Sequence, residues 1–266
     1  MDLLLTNKRA LVTGGSLGIG KAVARQLAAE GCDVCLVART ESRLKEAASE
    51  LAAETGRRVV WAVADSAVDD QVARAVASCV EQLGGVDILV NSAAQPAGQA
   101  APPKLAEIDD DNFWGDVNVK VLGYLRFARE VTPHMIASGW GRIINISGLG
   151  ARTTGSAIGS IRNVGVSAMT KNLADELGPH GINVTVVHPG LTRTEKTPGV
   201  VTTRAAVACV SPAQIEQRMG AGMSIGRIIE SEEVADVVAF LASPRSVSIT
   251  GDAIACGGGQ RGVIHY

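Results

Sequence analysis

No apolar run in the 266-residue chain approaches the roughly 18 residues that a membrane-spanning helix requires, and Met1-Asp2-Leu3-Leu4-Leu5 is too short for a secretory signal. The expected compartment is the cytoplasm. Cysteine is scarce as well: five residues, an odd and scattered set, argue against a disulfide framework. Cys32 and Cys35 form one CxxC, but the run from Asp33 to Ala38 has strand character, and positions three apart on a strand point to opposite faces. Two ordinary reduced thiols are expected, and no metal site. Neither sign of charge dominates, because 25 Lys and Arg stand against 27 Asp and Glu for a formal charge of −2. With the cations dispersed there is no basic patch for nucleic acid. Aromatic residues make up 3% of the chain and tyrosines number two, Tyr124 and Tyr266, so chemistry that needs a phenol has only these candidates.

What is present is a globular composition, 46% apolar and 20% charged, in a chain long enough to bury a large core. Short β-branched runs occur at Lys8 to Thr13, Asp33 to Ala38, Arg58 to Val63 and Val86 to Asn91. Between them lie Ala-rich stretches with helical spacing, Gly20 to Glu30, Glu41 to Glu54 and Val68 to Leu83. Strands alternating with such helices build an α/β domain with a doubly wound parallel sheet, and residues 1–266 are expected to form one Rossmann-type domain. A long helical region, Leu105 to Ser138, contains Pro133, expected to kink or end it. Arg142 to Ser147 and Ile182 to His188 predict two further buried strands, separated by a helical stretch that opens Gly159-Ser160-Ile161-Arg162-Asn163. A helix over Ser231 to Ala242 with Ser231 as N-cap, then a strand over Ile249 to Ala255, closes the pattern. From Leu191 to Ile225 the periodicity breaks down, which predicts a lid-like insertion at about 191–225 after a strand.

The strongest local signal is TGGSLGIG, Thr13 to Gly20, directly after the first strand and opening the first helix. Gly14 permits the tight turn, Gly18 lets a diphosphate approach the backbone, and Gly20 allows close packing, with Ser16, Leu17 and Ile19 between them. The unpaired N–H groups of the helix start then face the phosphates.

TGGSLGIG resembles the TGxxxGxG cofactor motif of the short-chain dehydrogenases/reductases, and further motifs follow that family's order over roughly residues 6 to 258. The resemblance implies the following roles. Asp65, with Ser66 beside it, stands where the family contacts adenine. Asn91-Ser92-Ala93-Ala94 is similar to the NNAG motif, placing Asn91 and Ala93 at the cofactor. Asn118 matches the asparagine that holds a water in the proton relay. Pro189-Gly190 with Thr194 resembles the segment that holds the nicotinamide carboxamide, and Ile249-Thr250-Gly251 with Gly257-Gly258 resembles the closing strand. A small-molecule substrate and a homo-oligomer, dimer or tetramer, are implied as well.

The second strand ends in Ala38-Arg39. An acid at position 38 would repel a 2′-phosphate, whereas the Arg39 guanidinium can pair with one, so NADP(H) is favoured over NAD(H).

The family's catalytic helix carries Tyr-x-x-x-Lys before a Thr-Lys or Ser-Lys pair. Anchoring on Thr170-Lys171 puts the tyrosine position at Gly159 and the lysine position at Asn163, which then keeps only a cofactor-side role. The serine position falls on Gly148, leaving Ser147 one residue early. Asn118 and Ser147 are thus the catalytic candidates. A free phenol has a pKa of about 10 and needs a nearby cation to work near neutrality; glycine supplies no proton and asparagine no charge. Tyr124 lies about 240° around a helix from Asn118 and should face elsewhere. Tyr266 could reach a site from the C-terminal tail.

His188 is either an acid near the nicotinamide or a satisfied strand-end histidine, and Arg152 with Arg162 either form an anion site or make surface contacts. Asp109-Asp110-Asp111 is expected to be solvated, with Ile108 and Phe113 in core contact. Two functions follow: an oxidoreductase acting on a carbonyl or alcohol with an atypical proton route, or a cofactor-binding protein without turnover.

Overall fold

Runs of Val, Ile and Leu that can be buried on both faces form the strands of one parallel sheet. The computed structural model describes residues 1–94 and 102–262. Its strands are β1 (Arg9–Thr13), β2 (Asp33–Ala38), β3 (Val59–Val63), β4 (Ile88–Asn91), β5 (Gly141–Ile146), β6 (Ile182–Pro189), β7 (Thr192–Arg193), β8 (Ile229–Glu230) and β9 (Ala253–Cys256). Seven of them lie in the order β3-β2-β1-β4-β5-β6-β9, and β7 pairs with β8 in a small second sheet. All pairings in the main sheet are parallel, with Val12 opposite Leu36 on one side and Val90 on the other. The winding reverses between β1 and β4, so their carboxyl ends diverge and leave a crevice.

The helices are α1 (Gly18–Ala29), α2 (Glu41–Thr55), α3 (Asp69–Leu83), α4 (Asp110–Val117), α5 (Gly123–Ser138), α6 (Ala157–Leu177), α7 (Thr197–Ala208), α8 (Pro212–Gly220) and α9 (Ser231–Ala242). Leu27, Leu44, Leu51 and Val238 from α1, α2 and α9 cover one face of the sheet. Val72, Val76, Phe127 and Val131 from α3 and α5 cover the other, where Leu177 of α6 joins them. Cys32 is buried in the first layer and Cys35 in the second, both as free thiols, as the strand reading requires.

Four boundaries differ from expectation. The region 105–138 is not one helix. A single 3₁₀ turn, Leu105–Glu107, precedes α4, whose start is capped by Asp109 accepting from the Asn112 N–H at 2.8 Å. A π-helical turn, Asn118–Leu122, then separates α4 from α5. Pro133 lies inside α5 without ending it, on the helix's exposed side. The 191–225 insertion contains α7 and α8, the latter capped by a reciprocal Ser211 and Gln214 pair. The cap of α9 is Glu230, one residue before Ser231, because the Glu233 carboxylate reaches back to the Glu230 N–H at 2.8 Å. The last strand starts at Ala253, after a turn that uses Gly251 at φ +74°. Ile108 and Phe113 are half-buried, and Asp109, Asp110 and Asp111 are exposed.

Candidate active site

The crevice is built first at the end of β1. The Thr13 hydroxyl accepts from the N–H groups of Ser92 (2.9 Å) and Ala93 (3.1 Å), tying the strand end of β4 to that of β1. Gly14 turns away at φ +68°, and a Cβ there would lie 3.1 Å from the Ala93 backbone. Gly18 opens α1 at φ +56°, and a Cβ on Gly20 would come within 2.3 Å of the Gly14 carbonyl oxygen. Only glycine lets the first turn of α1 sit this close to the turn that feeds it. The Leu17 N-cap makes no side-chain cap bond. Instead the Gly18 N–H donates to the Glu195 carboxylate, 3.0 Å from Oε2 and 3.2 Å from Oε1. An anion already rests at the positive end of the α1 dipole, where a phosphate group would bind.

From this cradle the cleft runs past Pro189, Gly190 and Thr194 to Ser147, Lys120 and Asn163. Ser147 follows β5, its hydroxyl donating to the Asn163 backbone carbonyl at 3.1 Å and lying 3.3 Å from Asn163 Oδ1. Lys120 Nζ donates to the Ser147 carbonyl at 2.9 Å and to Asn163 Oδ1 at 3.2 Å. Lys120 is 5% exposed and Asn163 6%. Burial first, and then the nearby Arg162 charge, push the Lys120 ammonium down to about 7, with Asp116 acting in the opposite sense.

The π turn explains the orientation. The Gly123 N–H donates to the Asn118 carbonyl, five residues back, so one extra residue enters this turn. Lys120 faces the cleft, while the Asn118 side chain lies on the other side, with Nδ2 3.5 Å from the Ala67 carbonyl. Residues two apart on a helical turn lie on roughly opposite sides, so both cannot face one cleft. The side chain of Asn118, expected as a catalytic group, therefore does not line the cleft, whereas that of Lys120 does.

Of the other expected residues, Gly14, Leu17, Gly18, Ile19, Gly20, Ser147, Asn163, Pro189, Gly190 and Thr194 line the cleft together. Ser16, Arg39, Asp65, Ser66, Asn91 and Ala93 do not. Arg39 is exposed just past β2, and Asp65 follows β3 with its carboxylate accepting from the Ala67 N–H at 2.9 Å. Both sit at the carboxyl edge of the sheet, since β2 and β3 pair up to Ala38 and Val63. Ser66 is buried under Gly123. Asn91 is buried and donates to Asn145 Oδ1 at 3.0 Å, so its side chain ties β4 to β5.

Gly159 lies in the first turn of α6, and the Ser156 hydroxyl accepts from its N–H at 3.0 Å. A Cβ on Gly159 would lie 2.9 Å from Ser156 Oγ, so the N-cap side chain crowds the side where a larger residue would start. Gly148 and Gly150 both face the Asn163 amide nitrogen, with Cβ positions 3.4 and 3.0 Å from it. Arg162 is buried and ion-paired with Asp116, which neutralises the charge expected for an anion site. Arg152 donates to the Ala253 carbonyl at 3.3 Å. His188 is 1% exposed with Nε2 3.4 Å from the Ser167 hydroxyl, a packed strand histidine. Tyr124 is buried, its hydroxyl donating to the Ile146 carbonyl at 3.0 Å, and burial raises its pKa far above the usual phenol range. Tyr266 lies outside the described residues. Among the described residues no group of acidic, His and Cys side chains is arranged to hold a metal ion.

The family model described as enoyl-(acyl carrier protein) reductase matches residues 14–261. A short-chain reductase protein of Streptomyces niveus is 34% identical, over 94% of this chain and 93% of its own length. The L-sorbose reductase of Gluconobacter frateurii, solved in complex with NADPH and L-sorbose, superposes with a TM-score of 0.93 at 30% identity, over 99% of this chain and 100% of that one. A xylitol dehydrogenase bound to NAD⁺ superposes with a TM-score of 0.86 at 26% identity, over 96% of this chain and 100% of that one.

Proposed function

The chain belongs to the short-chain dehydrogenase/reductase family, and we propose that it is a nicotinamide-dependent oxidoreductase that interconverts a small-molecule carbonyl and its alcohol, with NADP(H) favoured over NAD(H). The observation that carries this reading is the cradle of Gly14, Gly18 and Gly20 around an α1 start that already holds a carboxylate. It fits a dinucleotide diphosphate in shape and charge. Gly14, Ser16, Leu17, Gly18, Ile19 and Gly20 would hold the diphosphate; Asp65, Ser66, Asn91 and Ala93 the adenosine side; Asn163, Pro189, Gly190 and Thr194 the nicotinamide end. Bound there, the nicotinamide would exchange a hydride with the substrate carbon.

This chain's own residues supply the rest. Ser147, Lys120 and Asn163 form a closed hydrogen-bonded group at the end of the cleft remote from the diphosphate cradle. The helices α7 and α8 of the insertion bring Thr197, Val200 and Met219 to the same cleft and narrow its water access. The NADP(H) preference is supported by Ala38-Arg39 and by the NADPH in the sorbose reductase complex. Cytoplasmic placement and a homo-oligomer complete the proposal, the latter supported by the exposed Leu122, Leu125, Ile161 and Val164. No helix among the described residues is long and apolar enough to cross a membrane.

Gly159 and Asn163 favour a second reading, a cofactor-binding protein without turnover. One experiment separates the two: NADPH titration, followed on the same sample by reduction of a β-ketoacyl thioester, a ketose and an aromatic aldehyde. Binding with turnover supports the oxidoreductase; binding without turnover supports the second reading; no binding contradicts both.

A further inference from the structure

The resemblance asks for an asparagine on the helix before β5 and a lysine on α6, four residues after a tyrosine. The asparagine is kept as Asn118, its side chain turned toward the Ala67 carbonyl, but Asn163 stands at the lysine position of α6. The lysine at the cleft comes instead from the helix before β5, as Lys120, 3.2 Å from Asn163. Apart from the ion-paired Arg162, Lys120 is the one buried cation among the described residues that line the end of the cleft near Ser147.

We propose that Lys120 is a catalytic residue, whose Nζ passes the proton to and from the substrate oxygen that a phenol would otherwise serve. This rests on the oxidoreductase reading. An ammonium has three N–H donors. Two are directed to the Ser147 carbonyl and Asn163 Oδ1, which leaves the third for a ligand oxygen in the cleft. Neither Ser147 O nor Asn163 Oδ1 is charged, so no carboxylate locks the proton on the nitrogen by direct contact. The nearest ionisable groups are Arg162 on α6 and Asp116 on α4, paired with each other. They offset one another at Lys120, and burial dominates, poising the amine near neutrality at about 7.

The reduction balances as follows. The carbonyl carbon gains the hydride, the carbon–oxygen π pair becomes a lone pair on oxygen, and that oxygen takes one N–H proton from Lys120. The neutral amine then regains a proton from water. In the oxidation direction neutral Lys120 accepts the hydroxyl proton as the hydride leaves carbon. The acid form serves reduction, so the reduction rate falls as pH rises through the amine's pKa, and the oxidation rate rises.

The test compares wild type, Lys120→Met and Lys120→Arg, with ¹⁵N NMR of the Lys120 ammonium in protein without nucleotide as a readout independent of turnover. The expected result is NADPH affinity within about threefold of wild type for both variants, with carbonyl reduction lowered roughly 10²–10⁴-fold in each, because arginine keeps the charge but does not release a proton. The ammonium signal should titrate near neutrality. If Lys120→Met does not fold, Lys120→Gln replaces it. Wild-type turnover retained in the Met or Gln variant, or an ammonium that titrates only in the ordinary lysine range, overturns the proposal while leaving the oxidoreductase reading intact. Absence of NADPH binding, or of any carbonyl reduction by wild type, overturns both.

Discussion

Lys120 Nζ donates to Asn163 Oδ1 at 3.2 Å, and this contact joins the π turn before α5 to the first turns of α6 across the floor of the cleft. A cation from the helix before β5 thus meets an amide that stands where the family resemblance implies a lysine. Both are nearly fully buried, so the pair shapes stability as well as chemistry.

A buried ammonium costs folding free energy. The folded-state pKa of Lys120 is depressed from 10.5 to about 7, so between those values the unfolded chain binds more protons and wild-type stability rises with pH. Lys120→Met removes this cost. Thermal unfolding should show the variant more stable by about 1–4 kcal/mol near and below neutrality, with the advantage shrinking as pH rises toward 10. A variant less stable than wild type at low pH would contradict the burial account.

The diphosphate cradle should be intolerant of a single methyl group. Gly20→Ala places a Cβ within 2.3 Å of the Gly14 carbonyl. Relief requires α1 to move away from the turn, at about 1–3 kcal/mol of overpacking. NADPH titration should show at least a tenfold loss of affinity. Affinity equal to wild type would mean that the dinucleotide does not sit here.

Glu195 occupies the α1 start and would have to leave it when a phosphate arrives. Glu195→Ala removes that competition. The NADPH dissociation constant should fall about 2–5-fold, corresponding to roughly 0.3–1 kcal/mol at a helix terminus. Weaker binding in the variant would show instead that Glu195 helps to hold the nucleotide.

Arg39 is exposed beside Ala38, and the proposed NADP(H) preference assigns it to a 2′-phosphate. Arg39→Ala should lower the ratio of NADPH to NADH affinity, chiefly by weakening NADPH. An unchanged ratio would remove Arg39 from that role.

Much of the fold was legible because fully buried parallel strands carry unbroken apolar runs. The first four strands and β5 and β6 fall within two residues of the positions that their Val and Ile content predicts. The glycine cradle was legible for a similar reason, since Gly14, Gly18 and Gly20 are needed for backbone geometry that no other residue supplies. The orientation at the π turn was not legible. Asn118 was expected at the site from the order of the family's motifs, and no local pattern announces the π turn next to which Lys120 lines the cleft. The one local signal was a lysine inside Val119-Lys120-Val121-Leu122, a charge in an apolar run, which warns of burial. The two helices of the insertion were missed because Thr, Val and Pro at 197–203 hide the period, and α7 starts with Pro198 in its first turn.

Restoring the family's tyrosine and lysine on α6 probes the same site. Lys120→Met with Asn163→Lys and Gly159→Tyr should recover reduction that Lys120→Met alone loses, and the changes should be strongly non-additive because the phenol needs the relocated charge. Since Ser156 Oγ lies 2.9 Å from the Gly159 Cβ position, Ser156→Gly is added to make room, at a cost of a few tenths of a kcal/mol at the cap. Independent, additive effects would contradict the idea that the two helices share one proton-transfer function.

The most direct measurement is the pH dependence of a single turnover of carbonyl reduction, followed by the loss of reduced-nicotinamide absorbance with saturating NADPH. The account predicts that wild type shows a rate that falls as pH rises through about 7, the poise that burial gives Lys120. In Lys120→Met that limb should be gone and the remaining rate low and flat. A wild-type profile without a break near neutrality, or the same profile in both proteins, would contradict it.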